Sequence, residues 1–175
     1  MTETFEAYTA RLLSLSAGTD PFEILAATGP SIGRILASRR DDDLRWSTAP
    51  SRWSIAQIIA HLADAEVVFA YRVRMILSSP GTPIQAYDQD AWSRAQHSES
   101  SDPHASLALF TALRTATLRL LRRLTDEELE RHGMHAERGK ETIRHLLSLY
   151  AGHDRNHLIQ IDRLLAERDV AVISR

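Results

Sequence analysis

The feature that most constrains this chain is a long amphipathic segment, Thr142 to Glu167. Apolar residues recur in it at Ile143, Leu146, Leu147, Tyr150, Leu158, Ile161, Leu164 and Leu165. Steps of three and four place these side chains in one stripe along a helix. His153 and His157 fall on the same stripe. Four positions apart, their imidazoles project from one face, one turn from each other, toward whatever the stripe buries. Two histidines in an otherwise apolar interior need partners, and the rest of the chain has to supply them.

Composition limits what those partners can be. The sequence has no cysteine, so disulfides, thiolate ligation and a cysteine nucleophile are excluded, and a metal would have to be held by nitrogen and oxygen. A chain of 175 residues, 43% of them hydrophobic, can bury one sizeable core. Its 21 basic and 23 acidic side chains are mixed along the sequence for a net charge of −2, which leaves no footprint for nucleic acid. No apolar run is long enough to span a bilayer, and Met1-Thr2-Glu3-Thr4-Phe5-Glu6 lacks the basic start and apolar core of a signal peptide. A cytoplasmic protein with neither a nucleic-acid nor a membrane partner is expected.

Helix punctuation divides the chain. Residues 1–19 read as a peripheral N-terminal helix, Glu3 to Ser16, stopped by Ala17-Gly18-Thr19, and residues 20–170 read as one helical domain. Asp20-Pro21 is a cap followed by proline at the first helical position, opening a segment with Phe22, Leu25, Ile32, Ile35 and Leu36. Gly29-Pro30 interrupts that segment, and the missing backbone donor predicts a kink or split near Thr28. Asp41-Asp42-Asp43 reads as a solvated helix entry or loop. Ser54 with Gln57 three residues on is a capping box for a second long helix, running to about Ser78, whose stripe includes Ile55, Ile58, Ile59, Leu62, Phe69, Val73 and Ile76. His61 lies on or beside that buried face.

A long irregular crossover follows, from Ser79 through Tyr87-Asp88-Gln89-Asp90-Ala91-Trp92 to Asp102, and a connection of this length inside a compact domain usually serves function. Asp102-Pro103 opens a third long helix with Leu107, Phe110, Leu113, Leu120, Leu121 and Leu124 toward the core. Thr125-Asp126-Glu127-Glu128 starts a short helix expected to end near Gly133, and a turn at Arg138-Gly139-Lys140 leads into the fourth. Nothing reads as a strand. The expected architecture is all-α: a four-helix bundle with its longest crossover between the second and third main helices.

His61 changes the weight of the His153/His157 pair, because bundle cores hold metals with side chains from facing helices. Three neutral imidazoles with open positions would make a catalytic type of site, suited to zinc or nickel, between which spacing does not choose. The remaining histidines have weaker claims. His97 and His104 flank a polar loop and a helix entry, and His132 and His135 lie in a glycine-containing turn where solvent exposure is expected. His145 is two turns from His153, too far to join the same ligand set easily.

Trp53-Ser54-x2-Gln57-x3-His61-Leu62-Ala63-Asp64-Ala65-Glu66, then Tyr87-Asp88-Gln89-Asp90-Ala91-Trp92, then His153-x3-His157-x2-Gln160-Ile161 follow one another in an order and spacing that resembles the DinB/YfiT-like superfamily of bacterial metal-binding four-helix bundles. The likeness runs from about Asp20 to Arg168, and the crossover looks most like the YfiT branch, which includes bacillithiol transferases. The resemblance implies that His61, His153 and His157 are metal ligands. It implies a divalent metal, zinc or nickel, and a low-molecular-weight thiol as co-substrate of an S-transferase acting on a small molecule. The helix of the pair departs from the family in one respect: additional histidines often surround the pair there, whereas this chain has Asp154, Arg155 and Asn156.

The chemistry expected of such a site is thiol activation, in which the ion lowers the pKa of a bound thiol. Asp64, Tyr87, Asp88 and Asp90 are candidates for orienting ligand imidazoles or substrate. Caps and helix surfaces compete for Asp64 and Asp90, since short acids favour such positions. Trp92 is a candidate pocket wall, or packs the crossover onto the bundle. A metal-dependent hydrolase using water, and a non-catalytic metal-binding stress protein, are the alternatives. A homodimer is expected as the assembly.

Overall fold

The long helices begin where the capping residues say they should. In a computed structural model describing residues 4–173, the Thr4 hydroxyl accepts the Ala7 amide at 3.2 Å and caps α1 (Phe5–Ser16). The expected Glu3 start lies outside the described residues. The Asp20 side chain accepts from Phe22 at 3.0 Å and Pro21 opens α2 (Pro21–Ser38), followed by the short α3 (Asp41–Leu44). The Ser54/Gln57 capping box closes in both directions at the start of α4 (Ile55–Ser78). Beyond it come α5 (Gln89–Ala95), α6 (Pro103–Leu121), the Thr125-capped α7 (Asp126–Leu129) and α8 (Ile143–Ile173).

The fold is all-α with a four-helix bundle at its centre. Both α2 and α4 pack against α6 and α8, so the cyclic order is α2, α6, α4, α8, and α2 and α4 stand diagonally across the core. The α4-to-α6 connection is the long crossover. Outside the bundle, α1 runs along α8. No helix of the described residues is long and apolar enough to cross a membrane.

Three local expectations are corrected. First, α2 is not split: it continues through Pro30, because Ile24 and Leu25 before the proline and Ile32 and Leu36 after it are all buried in the bundle. One lost donor does not outweigh packing on both sides. Second, the crossover is not irregular throughout, since it contains α5 and a 3-10 turn at Ser98–Ser100. Third, there are strands. A small sheet joins β1 (Pro83–Ile84), β2 (His132–His135) and β3 (Gly139–Thr142), with β1 parallel to β2 and β2 antiparallel to β3. Segments of two and four residues are too short to show a two-residue alternation in sequence. The turn after α7 therefore becomes strand, and α7 ends at Leu129 rather than near Gly133. Gly133 lets β2 close on Ile84, whose side chain would lie 2.6 Å from a Cβ there.

The core divides into two apolar clusters. One gathers Leu25, Phe69, Val73, Leu118, Leu121, Leu146 and Tyr150; the other gathers Ile32, Ile58, Ile59, Leu62, Phe110, Ile161 and Leu164. Near where the two clusters meet, each bundle helix carries a buried polar residue: Thr28 on α2, Glu66 on α4, Arg114 on α6 and Asp154 on α8. The bundle thus has a polar waist, and the histidines lie at its level.

At the same level α1 meets α8 at Gly152, where an added Cβ would stand 1.9 Å from the Leu12 carbonyl oxygen. Gly152→Ala gains about 1 kcal/mol of helix propensity. The overlap with backbone outweighs that gain, and we expect a net loss of about 2 kcal/mol, read as a lower urea midpoint. A higher midpoint would show that α1 does not dock there.

Candidate metal centre

His61 projects from α4, and His153 and His157 project from successive turns of α8. Their Nε2 atoms converge, 3.0 Å apart between His61 and His153 and 3.2 Å apart between His153 and His157. The His153 Nε2 bears either a proton or a lone pair, so these contacts cannot both be good hydrogen bonds. Nitrogen ligands 2.0–2.1 Å from a tetrahedral ion lie about 3.3 Å from one another. The donor set therefore suits a cation at the point of convergence. His157 donates from Nδ1 to the Gln160 side-chain oxygen at 3.0 Å, which leaves its Nε2 bare.

The surroundings keep the rings neutral. Burial, helped by the nearby His157, drives His61 down to about 3. Burial also holds His153 well below the ordinary histidine range, with His157 and His61 adding to it, and lowers His157 against the Gln160 hydrogen bond. Neutral imidazole is the form that binds metal.

Arg114 is the residue that sequence reasoning passed over. Its Nε donates to Glu66 at 2.9 Å, and Nη1 donates to the Leu25 carbonyl at 2.9 Å and to Asp154 at 2.6 Å. One side chain on α6 thereby ties α2, α4 and α8 together. Its spacing held the signal, for Phe110, Arg114, Thr117, Leu118 and Leu121 form one helical stripe, all buried. Two carboxylates share this guanidinium, and burial pushes Glu66 up to about 7 against the pull of Arg114.

The three residues between the paired histidines are each committed. Asp154 takes Arg114, Arg155 donates to the Leu15 carbonyl (2.6 Å) and to Thr19 (3.0 Å), and Asn156 accepts from Arg11 at 2.6 Å. The last two bind α1 and its exit to α8.

A cavity of about 360 Å³ opens beside His153. Its wall includes Tyr8 and Leu12 of α1, Arg72 of α4, Tyr87 and Asp88 of the crossover, His135 of β2 and Tyr150 of α8. Tyr87 is thus brought to the site, its phenol pushed up by burial. Asp88 also reaches the cavity, but its carboxylate caps α5 by accepting the Asp90 and Ala91 amides, each at 2.9 Å. Asp90 is exposed in the first turn of α5, outside the wall. Asp64, raised by burial, accepts from Gln96 at 3.2 Å and also stays outside the wall. Trp92 packs at a tilt on Tyr87, with ring centroids 5.0 Å apart, and touches the cavity through that ring. His97 and His104 are exposed, as expected. His135 is not: it is only 3% exposed, because β2 turns alternate residues inward and its register partner is the buried Ile84.

A family model described as the DinB superfamily matches residues 28–161, and the chain belongs to that superfamily. It is 35% identical to YfiT of Bacillus subtilis over 114 residues, an alignment spanning 64% of this chain and 64% of YfiT. The solved YfiT structure superposes with a TM-score of 0.79 at 25% identity, covering 96% of this chain and 91% of that one, and is described as a "probable metal-dependent hydrolase with an unusual four-helix bundle topology". OB0782 of Oceanobacillus iheyensis, 29% identical over 129 residues and 74% of each chain, also carries the name of a candidate metal-dependent hydrolase.

Two outcomes are expected of the waist. Arg114→Met leaves two buried carboxylates without their cation and should cost about 3–5 kcal/mol in urea unfolding; a loss below about 1 kcal/mol would mean that water takes over the role of the cation. In chelator-treated protein, the three histidines resist protonation when folded and accept it when unfolded. Stability they contribute is present above pH 6.5 and is lost as pH falls toward about 3, the range set by His61. Glu66, raised to about 7, and Asp64, also raised by burial, slope the other way, but are two groups against three. Urea midpoints should therefore fall from pH 7 to pH 4; a flat or rising profile would contradict neutral buried histidines.

Proposed function

We propose that the chain is a metal-dependent S-transferase in which His61, His153 and His157 hold a divalent ion, zinc or nickel, and a low-molecular-weight thiol attacks a small electrophile in the adjoining cavity. The observation that carries this reading is the convergence of three neutral Nε2 atoms at a ring that also forms the cavity wall. An ion held there supplies acidity to a bound thiol. The chain has no cysteine, so its own side chains do not supply a thiolate and the nucleophile comes from solution.

The chain's residues then position and shield. Tyr87, kept protonated by burial, donates a hydrogen bond to the substrate, while Tyr8 and Tyr150 exclude water on the other sides. Asp88 acts by holding the crossover: its cap on α5 sets the place of Tyr87, and Trp92 backs the ring. Asp64 steadies the same segment through Gln96, and Asp90 contributes charge at the start of α5. The S-transferase reading draws on the resemblance in the three motifs. The names of the YfiT and OB0782 relatives favour a second reading, in which the same ion activates water for hydrolysis.

Protein purified without added metal should carry about one ion per chain, and His153→Ala should carry far less by elemental analysis; equal content in both would sink the site. With metal bound, a panel of small thiols and an aryl halide should show thiol consumption that His157→Ala abolishes. Thiol-independent cleavage of an ester or amide by the same protein would select hydrolysis instead.

A further inference from the structure

The cavity wall contains a buried cation, Arg72, that no carboxylate of the described residues pairs with. Arg72 is 6% exposed, and its Nη2 donates to the Gln85 carbonyl at 2.8 Å, yet among the described residues it makes no ion pair. Of the other charges in the wall, the Glu137 carboxylate belongs to an exposed residue and makes no ion pair among the described residues, and the remaining two are engaged. Arg138 is held by Glu141 at 2.6 and 3.1 Å, and the Asp88 carboxylate caps α5. Arg114, equally buried, shows what such a group ordinarily requires, namely two carboxylates. Removing a guanidinium from water is unfavourable unless an anion and hydrogen bonds compensate.

His135 adds a second unused donor. Its Nδ1 accepts the backbone amides of Glu137 and Arg138 at 3.2 and 3.4 Å, which puts the proton on Nε2. That Nε2 is buried and has no partner. Burial, then Arg138, holds the His135 pKa below the ordinary histidine range, with Arg72 adding to this against Glu141 and Glu137, so the imidazole is a neutral N–H donor. A planar guanidinium and one neutral N–H, in a wall with three tyrosines, match the two oxygens of a carboxylate on a compact aromatic or apolar body.

We propose that Arg72 and His135 form a carboxylate-recognition site, so that the substrate is a small carboxylate whose reacting group is turned toward His153. This rests on the cavity being the substrate site, and is independent of whether thiol or water is the nucleophile.

The test is calorimetric binding of benzoate and benzamide to the full-length protein, as purified and after chelation. Benzoate should bind about tenfold more tightly than benzamide, before and after chelation. Arg72→Gln should erase the preference, Arg72→Lys should retain part of it, and His135→Phe should weaken benzoate alone. Equal binding of the two probes, or binding of neither, overturns the proposal, as does a preference that survives Arg72→Gln. A preference lost on chelation overturns it too, by placing the carboxylate on the metal ion. Where circular dichroism shows Arg72→Gln unfolded, Arg72→Lys and His135→Phe carry the test, and unchanged preference in both overturns it. An intact preference in protein whose metal content does not depend on His153 would fail the metal reading and uphold this one.

Discussion

The bundle depends on one buried guanidinium. Arg114 bonds a main-chain carbonyl on α2 and carboxylates on α4 and α8, so a single side chain of α6 sets the height of the other three helices. Apolar contacts alone allow helices to slide by a turn at modest cost, since one leucine replaces another. A charge with two required partners does not. Register in this bundle is therefore imposed from the middle, and the clusters above and below fill around it.

The histidines inherit their geometry from that register. Asp154, which accepts from Arg114, is the residue after His153, and Glu66 is five residues beyond His61 on α4. Fixing Asp154 and Glu66 fixes the rotation and height of the two helices that supply the imidazoles. The convergence of three Nε2 atoms is a product of the waist, and the expense of burying its charges is met by the specificity of that placement.

Much of this was legible in the chain. The caps at Asp20, Ser54 and Asp102 announced where three bundle helices start, and the stripes placed His61, His153 and His157 on inward faces. What stayed hidden was decided by tertiary contact. A proline in α2 looks like a break until both flanks are seen to be buried, and a strand of four residues has no period to read. His135 sat in a turn with glycine on either side, which suggests solvent, and only pairing with Ile84 turns it inward. Arg114 was hidden by its type: an arginine on an apolar stripe is ordinarily assigned to the surface. Asp154, Arg155 and Asn156 looked like a departure from the family, and each has a defined partner here.

The meeting of α1 with α8 divides labour along the chain. Tyr8 and Leu12 form part of the cavity wall, while the four bundle helices carry the waist and two of them carry the histidines. The cavity is thus shared, with one side supplied by α1 and the rest by α4, the crossover, β2 and α8. Side chains in the first helix can drift without disturbing the register of the bundle, provided Gly152 still accepts its backbone. In evolutionary terms, the chemistry is anchored in the core, and α1 offers one side of the cavity that can vary while Arg72 and His135 keep their places on α4 and β2.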